Sequence, residues 1–298
     1  MPPSDVRDAE AAVPTDLVAP APPGGDEIGG TVSAGGVATN HHDHGAGPPV
    51  LLLHGSGPGV SAWANWRFTL PALAPRFRVL APDLLGFGFT EVPADVDYTP
   101  AAWLDHLVAY LDALDVGPVH VVGNSFGGAL ALHLATRHPD RVRRLVLMGS
   151  AGTPFSITDG LDEVWGYHPA QGHMRALLER FVYDGSRITD DLARLRHAAA
   201  SRPEVTASYA AMFPGPRQRH VDALAVAQSD LASLPHETLV LHGRDDAIIP
   251  LSASLLLHEL IVASDLHVFG RCGHWVQIEA RDRFNALVDR FLSDGLEG

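Results

Sequence analysis

The sequence predicts an α/β protein, a mostly parallel, doubly wound sheet with a helical segment inserted into it. Three observations predict this class. Short apolar runs bounded by glycine, proline and aspartate recur along the chain with helical patterns between most of them, the order that a sheet covered on both faces requires. One such run, residues 119–122, passes directly into an Ala/Leu-rich segment through Gly123-Asn124-Ser125-Phe126-Gly127. Between Gly152 and Pro235 the alternation stops and only helical patterns remain.

Taken in order, residues 1–27 are rich in Pro, Ala, Gly and Asp without periodicity, and are expected to form a disordered tail. Residues 28–32 and 37–42, joined by Ser33-Ala34-Gly35-Gly36, read as a hairpin. His41, His42 and His44 sit at its end, where an exposed position is expected. They have no second ligand cluster nearby in sequence, so no metal is expected. Residues 49–53 are continuously apolar and lead into the glycine-rich loop His54-Gly55-Ser56-Gly57-Pro58-Gly59, as a strand buried on both faces would. Residues 77–81 repeat that pattern and end in Pro82-Asp83. Residues 103–114 space their apolar side chains as a helix, and 119–122, 145–148, 239–241 and 266–269 supply further strands. The expected organisation is a core of residues 28–152 and 235–298, with a helical cap at 153–234. Cap helices are expected near 159–167, 174–183, 190–200 and 219–230.

Composition narrows the function. Hydrophobic residues make up 46% of the 298 and charged residues 19%, as in ordinary globular chains. The single cysteine, Cys272, forbids an intrachain disulfide and is expected to be loop packing. No apolar run approaches the roughly 18 residues of a membrane span. The first residues lack the basic and apolar regions of a secretion signal, so a cytoplasmic protein is expected. Thirty-five acidic and 21 basic residues give a net charge of −14, and there is no Lys/Arg cluster. Nucleic acid and anionic membrane surfaces are therefore not expected as partners. An anionic substrate would need a specific arginine to bind it against the overall field.

The pentapeptide around Ser125 carries the chemistry. A strand that reverses into a helix within a few residues forces the central residue into a strained conformation, and glycines two positions either side relieve the crowding. The serine hydroxyl then stands at the tip, facing a helix N-terminus. Two partners follow in the required order. Residues 238–242 end in Gly243-Arg244-Asp245-Asp246, which places two carboxylates just past a strand, and local physics barely separates them. Residues 265–269 lead into Gly270-Arg271-Cys272-Gly273-His274-Trp275, with a histidine on a glycine-flanked loop. Serine, acid and histidine in this order are the triad of the α/β-hydrolase fold. Its oxyanion site needs two N–H donors, one from Phe126 after the nucleophile and one from the loop after an earlier strand, where Ser56 N–H fits. Gly57-Pro58-Gly59 and Gly86-Phe87-Gly88 do not complete a dinucleotide fingerprint.

Longer segments go beyond the triad. Residues 54–66, 123–128, 141–150, 211–214 and 267–275 resemble the meta-cleavage product hydrolases of aromatic ring degradation, closest to the monoalkylbenzene and phenol branch that includes 2-hydroxymuconic semialdehyde hydrolases. Asn124 and Trp275 are more specific to that family than the triad. The resemblance runs from about residue 28 to the end. It implies C–C hydrolysis of a 2-hydroxy-6-oxo-hexa-2,4-dienoate to 2-hydroxypenta-2,4-dienoate and a carboxylic acid, without metal or organic cofactor, in a homo-oligomer. It assigns the nucleophile to Ser125, the acid to Asp246 and the base to His274. It places Asn65, Asn124, Arg196 and Trp275 at the dienoate end with Phe181 beside them, makes Gly57 a further substrate-binding residue, and sets Ala151 and Ile249 along the acyl pocket. A carboxylesterase or lactonase on the same fold is the alternative, since the triad alone permits it. A dehalogenase or epoxide hydrolase is excluded because its nucleophile would be an aspartate. The acidic, proline-rich tail departs from the family pattern. Removing residues 1–26 is expected to leave turnover unchanged, and a large loss in the truncated enzyme would show that the tail does more.

Overall fold

The computed structural model describes residues 27–294. Eight strands build one sheet: β1 (Gly30–Ala34), β2 (Val37–His44), β3 (Pro49–Leu53), β4 (Arg78–Pro82), β5 (Val119–Asn124), β6 (Val142–Met148), β7 (Thr238–Gly243) and β8 (Ser264–Phe269), in the order β1-β2-β4-β3-β5-β6-β7-β8. The hairpin β1–β2 and the pair β2–β4 are antiparallel, and every other pairing is parallel. The continuous apolar run of β3 has a simple cause. Leu51 and Leu53 pack into a cluster on one face, Val50 and Leu52 into a second cluster on the other, and all four are fully buried.

The helices are α1 (Ala62–Trp66), α2 (Leu70–Leu73), α3 (Pro100–Ala113), α4 (Phe126–Arg137), α5 (Asp159–Trp165), α6 (Met174–Glu179), α7 (Asp190–Ala200), α8 (Pro203–Met212), α9 (Gln218–Leu224), α10 (Gln228–Ala232), α11 (Leu251–Leu260), α12 (Val276–Glu279) and α13 (Arg281–Ser293). Helices α5 to α10 lie between β6 and β7 and form the expected cap. Its pattern is finer than periodicity suggests. The segment expected as one helix over 219–230 is two, and α8 had no separate signal because it is short and lacks a clear apolar stripe. Helix α6 stops at Glu179, short of residue 183.

Two expectations are corrected. His41 and His42 are buried, not exposed. His41 Nδ1 lies 2.9 Å from the Tyr110 hydroxyl, and the His42 ring packs on Trp63 at a centroid distance of 5.4 Å. The disordered tail was expected to run through residue 27, but Glu27 belongs to the folded part, because its side chain pairs with Arg196; residues 1–26 lie outside the described residues.

Asp83, at the end of β4, ties the loops of the site together. Its carboxylate accepts from Ala62 N at 2.6 Å, Phe89 N at 2.8 Å and Asn40 Nδ2 at 2.7 Å. It thereby holds the start of α1, the loop after β4 and the second strand at one point. Burial pushes its carboxyl up to about 6, against the pull of those three donors. The native state therefore keeps a proton that the unfolded chain loses near pH 4, so this group's contribution to stability falls as pH rises from about 4 to about 6. We expect Asp83→Asn to remove a pH dependence of the order of 2–3 kcal/mol across that window, measured as the wild-type minus variant difference in urea unfolding at each pH. Parallel curves for the two proteins would refute it.

Candidate active site

Strand β5 delivers Asn124 to the carboxyl edge of the sheet, and Ser125 follows with φ 56° and ψ −114°. For a serine that conformation costs roughly 1–3 kcal/mol. The surroundings enforce it. Ser125 N donates to Met148 O at 2.9 Å, and Ser125 O accepts from Ala151 N at 3.1 Å. A Cβ on Gly123 would meet Gly127 O at 2.6 Å, and one on Gly127 would meet Leu53 O at 2.3 Å. Helix α4 thus starts in contact with β3 and β5, with no space for a side chain on either flank. The turn expected at Ser125 is the turn that forms.

The acid and base meet across two loops. His274 Nδ1 donates to Asp246 Oδ2 at 2.6 Å, while Asp246 Oδ1 accepts from Ile248 N at 2.7 Å and Ile249 N at 3.0 Å. Burial pushes the Asp246 carboxyl up, but the adjoining His274 ring and these bonds outweigh it and hold it below the usual carboxylate range. It stays ionised at neutral pH. His242 lies 3.4 Å from the same oxygen, and burial pushes its pKa down, so it stays neutral; Ser254 Oγ and Ile249 O engage its two nitrogens. Asp245, the other carboxylate of the pair, is exposed beside Arg244. The geometry separates what local sequence could not. Gly149, at φ 50°, passes so close that a Cβ there would sit 3.1 Å from His274 Nδ1 and 3.2 Å from Asp246 Oδ2. With Nδ1 committed to Asp246, Nε2 is the nitrogen left for proton transfer, and His274 and Ser125 line one pocket.

The cap fastens the two loops that the chemistry needs. Trp165 Nε1 donates to Ser56 Oγ at 2.8 Å, and the Tyr209 hydroxyl shares its single proton between Ser56 O at 2.9 Å and Val164 O at 2.8 Å. Trp165 in turn stacks on Phe213 at 4.6 Å between centroids. On the histidine loop, Trp275 N donates to Phe181 O at 3.1 Å, and the Phe181 ring stacks on Trp275 at 4.9 Å. Glu279 bridges cap and loop, accepting from Tyr183 N at 2.8 Å and Gly273 N at 2.7 Å. Cys272 is buried there, with Sγ 3.8 Å from Glu279, and it packs the loop as expected.

The far end of the pocket is polar. Leu192, Arg196 and Ala200 form the buried stripe of α7, so Arg196 points inward, whereas Arg194 is exposed and pairs with Asp191. Arg196 Nη1 donates to Gly59 O at 3.1 Å, and Nη2 pairs with Glu27. Arg67, at the end of α1, lines the same end and donates to Ala64 O. Asn65 Oδ1 accepts from Gly55 N at 3.4 Å, while its buried Nδ2 has no protein partner among the described residues. That nitrogen is a donor waiting for a ligand. Val60, Leu161, Val164, Leu178 and Ile248 add apolar walls to the same pocket.

Comparison with known proteins agrees with this geometry. The family profile described as alpha/beta hydrolase fold matches residues 48–281. The chain is 57% identical over 274 residues to the 2-hydroxymuconate semialdehyde hydrolase of Pseudomonas sp. (strain CF600), covering 92% of this chain and 97% of the relative. It is also 57% identical over 267 residues to the 2-hydroxy-6-oxo-2,4-heptadienoate hydrolase of Pseudomonas putida, covering 90% and 97%. A solved structure of the meta-cleavage product hydrolase from Pseudomonas fluorescens IP01, a mutant complexed with acetates, superposes with a TM-score of 0.89 at 55% identity, covering 90% of this chain and 98% of the other. This chain is a meta-cleavage product hydrolase of the α/β-hydrolase fold.

In this hydrolase, most of the residues singled out from sequence converge. Ser56, Gly57, Asn65, Asn124, Ser125, Phe181, Arg196, His274 and Trp275 line one pocket. Phe126 contributes its backbone at the N-terminus of α4, while its ring is buried against Trp103 at 4.8 Å. Two residues expected along the acyl pocket lie outside its lining. Ala151 is bound to the Ser125 carbonyl, and Ile249 is held between Asp246 and His242, leaving Ile248 as the wall. Sequence reasoning missed Arg67, Glu27 and Trp165's bond to Ser56. Arg67 follows Asn65 by two positions, a signal that was present; Glu27 had none. We expect Asp246→Asn to lower kcat by about 10³–10⁴-fold and Asp245→Asn by less than about twofold, in steady-state assays on one substrate. Comparable losses in both variants would overturn the assignment of the acid. Trp165→Phe, which removes the donor to Ser56, should lower kcat several-fold with little change in melting temperature.

Proposed function

We propose that Ser125, Asp246 and His274 perform the C–C hydrolysis of this family. The substrate is a 2-hydroxy-6-oxo-hexa-2,4-dienoate, such as 2-hydroxymuconic semialdehyde, and the products are 2-hydroxypenta-2,4-dienoate and a carboxylic acid. The observation that carries this over a simple esterase is the pocket's lining. Arg196, Arg67 and Asn65, whose Nδ2 has no partner among the described residues, line the pocket that holds Ser125, together with the apolar Leu161, Val164, Leu178 and Ile248. An ester hydrolase has no need of a carboxylate site, whereas a dienoate brings a carboxylate at one end and an acyl group at the other. The relatives described above are named for such substrates.

The chemistry follows from this placement. The dienol is a poor substrate for C–C cleavage until its π electrons are rearranged, so a proton must move from the 2-hydroxyl to C5. His274, oriented by Asp246, shuttles it through Nε2. The C6 carbonyl then becomes an ordinary ketone or aldehyde over Ser125. Attack by the serine oxygen, or by a water that it helps to activate, places negative charge on the carbonyl oxygen, which the Phe126 and Ser56 N–H groups stabilise. Collapse breaks C5–C6, and the electron pair passes into the dienolate, which the carboxylate site keeps aligned. Protonation completes the dienoate product, and hydrolysis completes the acid. None of these steps calls for a metal; among the described residues no three His, Cys, Asp or Glu side chains converge to hold one. We extend the proposal to a cytoplasmic homo-oligomer; among the described residues no helix is long and apolar enough to cross a membrane.

The test follows the fading of the yellow dienolate of 2-hydroxymuconic semialdehyde and its 6-methyl ketone analogue. Wild type should bleach both, and Ser125→Ala neither. Arg196→Ala should lose at least about 100-fold in kcat/KM on the dienoate and far less on a neutral aryl ester. Equal losses on the two substrates would remove the carboxylate site, and rapid ester cleavage with no bleaching would make the protein an esterase.

A further inference from the structure

His54 follows β3, and its ring is fully buried, edge-on to Phe87 at 5.3 Å between centroids. Both ring nitrogens are engaged. Leu84 N, in the loop after β4, lies 3.0 Å from Nε2, and Gly55 O lies 2.6 Å from Nδ1. A backbone N–H only donates and a carbonyl only accepts, so Nε2 accepts and Nδ1 carries the proton. Burial pushes the ring down to about 4, so at neutral pH it holds that one proton alone. The Gly55 carbonyl that it serves belongs to the same planar peptide unit as Ser56 N–H. That unit sits beside the nucleophile: a Cβ on Gly55 would lie 3.1 Å from Asn124 Oδ1 and 3.4 Å from Ser125 Cβ. Trp165 and Tyr209 hold Ser56 beyond this unit, by its hydroxyl and by its own carbonyl.

We propose that His54 is a positioning residue of the oxyanion site, which fixes and polarises the Gly55–Ser56 peptide through the Gly55 carbonyl. The inference rests on reading Ser56 N–H as the second oxyanion donor. A peptide unit that turns about its flanking bonds carries its C=O and N–H round together. Anchoring the carbonyl against a buried ring therefore sets the direction of the N–H. The same bond draws electron density toward the carbonyl oxygen and leaves the N–H a stronger donor, since hydrogen bonds in a chain polarise one another. A donor fixed in this way needs no reorganisation when charge develops. The two nitrogens have separable jobs. Nδ1 acts on the oxyanion peptide, and Nε2 ties the loop after β3 to the loop after β4. Only the first contributes to rate. His54 touches no reacting atom; it acts through the backbone of Ser56.

Two amide side chains separate these jobs. Asn places an N–H near the position of Nδ1 but does not reach Leu84, while Gln places its oxygen near Nε2 and takes away the donor to Gly55 O. The experiment compares wild type, His54→Asn and His54→Gln in p-nitrophenyl acetate hydrolysis, in its inhibition by n-butylboronic acid and by sorbate, and in thermal unfolding. The boronate forms a tetrahedral anion on Ser125 that mimics the intermediate, whereas sorbate, a hexa-2,4-dienoate, has no such centre. Neither Ki depends on how much of a preparation is folded. We expect kcat to fall at least about ten-fold in His54→Gln and less than about three-fold in His54→Asn. The boronate Ki should rise in proportion, and the sorbate Ki should move by less than about two-fold in either variant. His54→Asn, which loses the tie to Leu84, should have the lower melting temperature. An Asn variant no better than Gln in kcat and boronate affinity would overturn the proposal, as would rate and melting temperature that rank the two variants alike. The readings beneath it fail separately. Replacing the Gly55–Ser56 peptide by an ester, with the α-hydroxy analogue of serine at position 56, removes that N–H. An unchanged boronate Ki would then retire Ser56 as a donor, whereas a weakened one beside an unaffected His54→Gln would retire His54 only. Wild type that cleaves the aryl ester without bleaching the dienoate would retire C–C hydrolysis and leave His54 standing.

Discussion

The strained turn at Ser125 is the constraint from which the site is built. A serine at φ 56° is held there because Met148, Ala151 and the first turn of α4 leave its backbone no other partners. The cost is acceptable because α4 is almost wholly buried, with nine of its residues packed inside. Close approach does the rest. Without side chains at Gly123 and Gly127, the helix starts against β3 and β5, and its N-terminal N–H groups point to where negative charge develops. The acid and the base then need only short loops from β7 and β8 to reach the same point.

The cap is a working part of this arrangement as well as a cover. The oxyanion loop after β3 is glycine-rich and has little to hold it from within. Trp165 and Tyr209, from two different cap helices, grip Ser56 by its hydroxyl and its carbonyl. The histidine loop is held from the other side by the Phe181 carbonyl and by Glu279. A displacement of the cap would therefore disturb both the electrostatic stabilisation and the base.

Charge is handled locally. The chain is strongly acidic, which repels an anionic substrate at long range. Two arginines nevertheless line the pocket, Arg67 just after α1 and Arg196 on α7. Asp83 sits behind them as a common anchor. It holds the start of α1 and, through Asn40, the main chain at Glu27, so both share one buried carboxylate.

Much of this was legible in the amino-acid sequence, for identifiable reasons. The strands β3 and β5, the elbow and the histidine loop are local devices, whose glycines and apolar runs leave marks within a few residues, and the break in alternation marked the cap. Boundaries inside the cap were less legible, because short helices such as α8 carry no decisive stripe. The choice between Asp245 and Asp246 was not local at all; only the position of His274, 28 residues later, decides which carboxylate is buried and bonded. The same holds for Ile248 over Ile249, and for the exclusion of Ala151 from the pocket. Glu27 is the extreme case, since its partner Arg196 lies 169 residues away. By itself the sequence determined the fold and the strained turn at Ser125, because strain, periodicity and turn chemistry act between neighbours. Tertiary structure alone decided which of the two carboxylates meets the histidine and that Glu27 joins the pocket, because burial and Coulomb interactions depend on distance in space, to which separation along the chain is no guide.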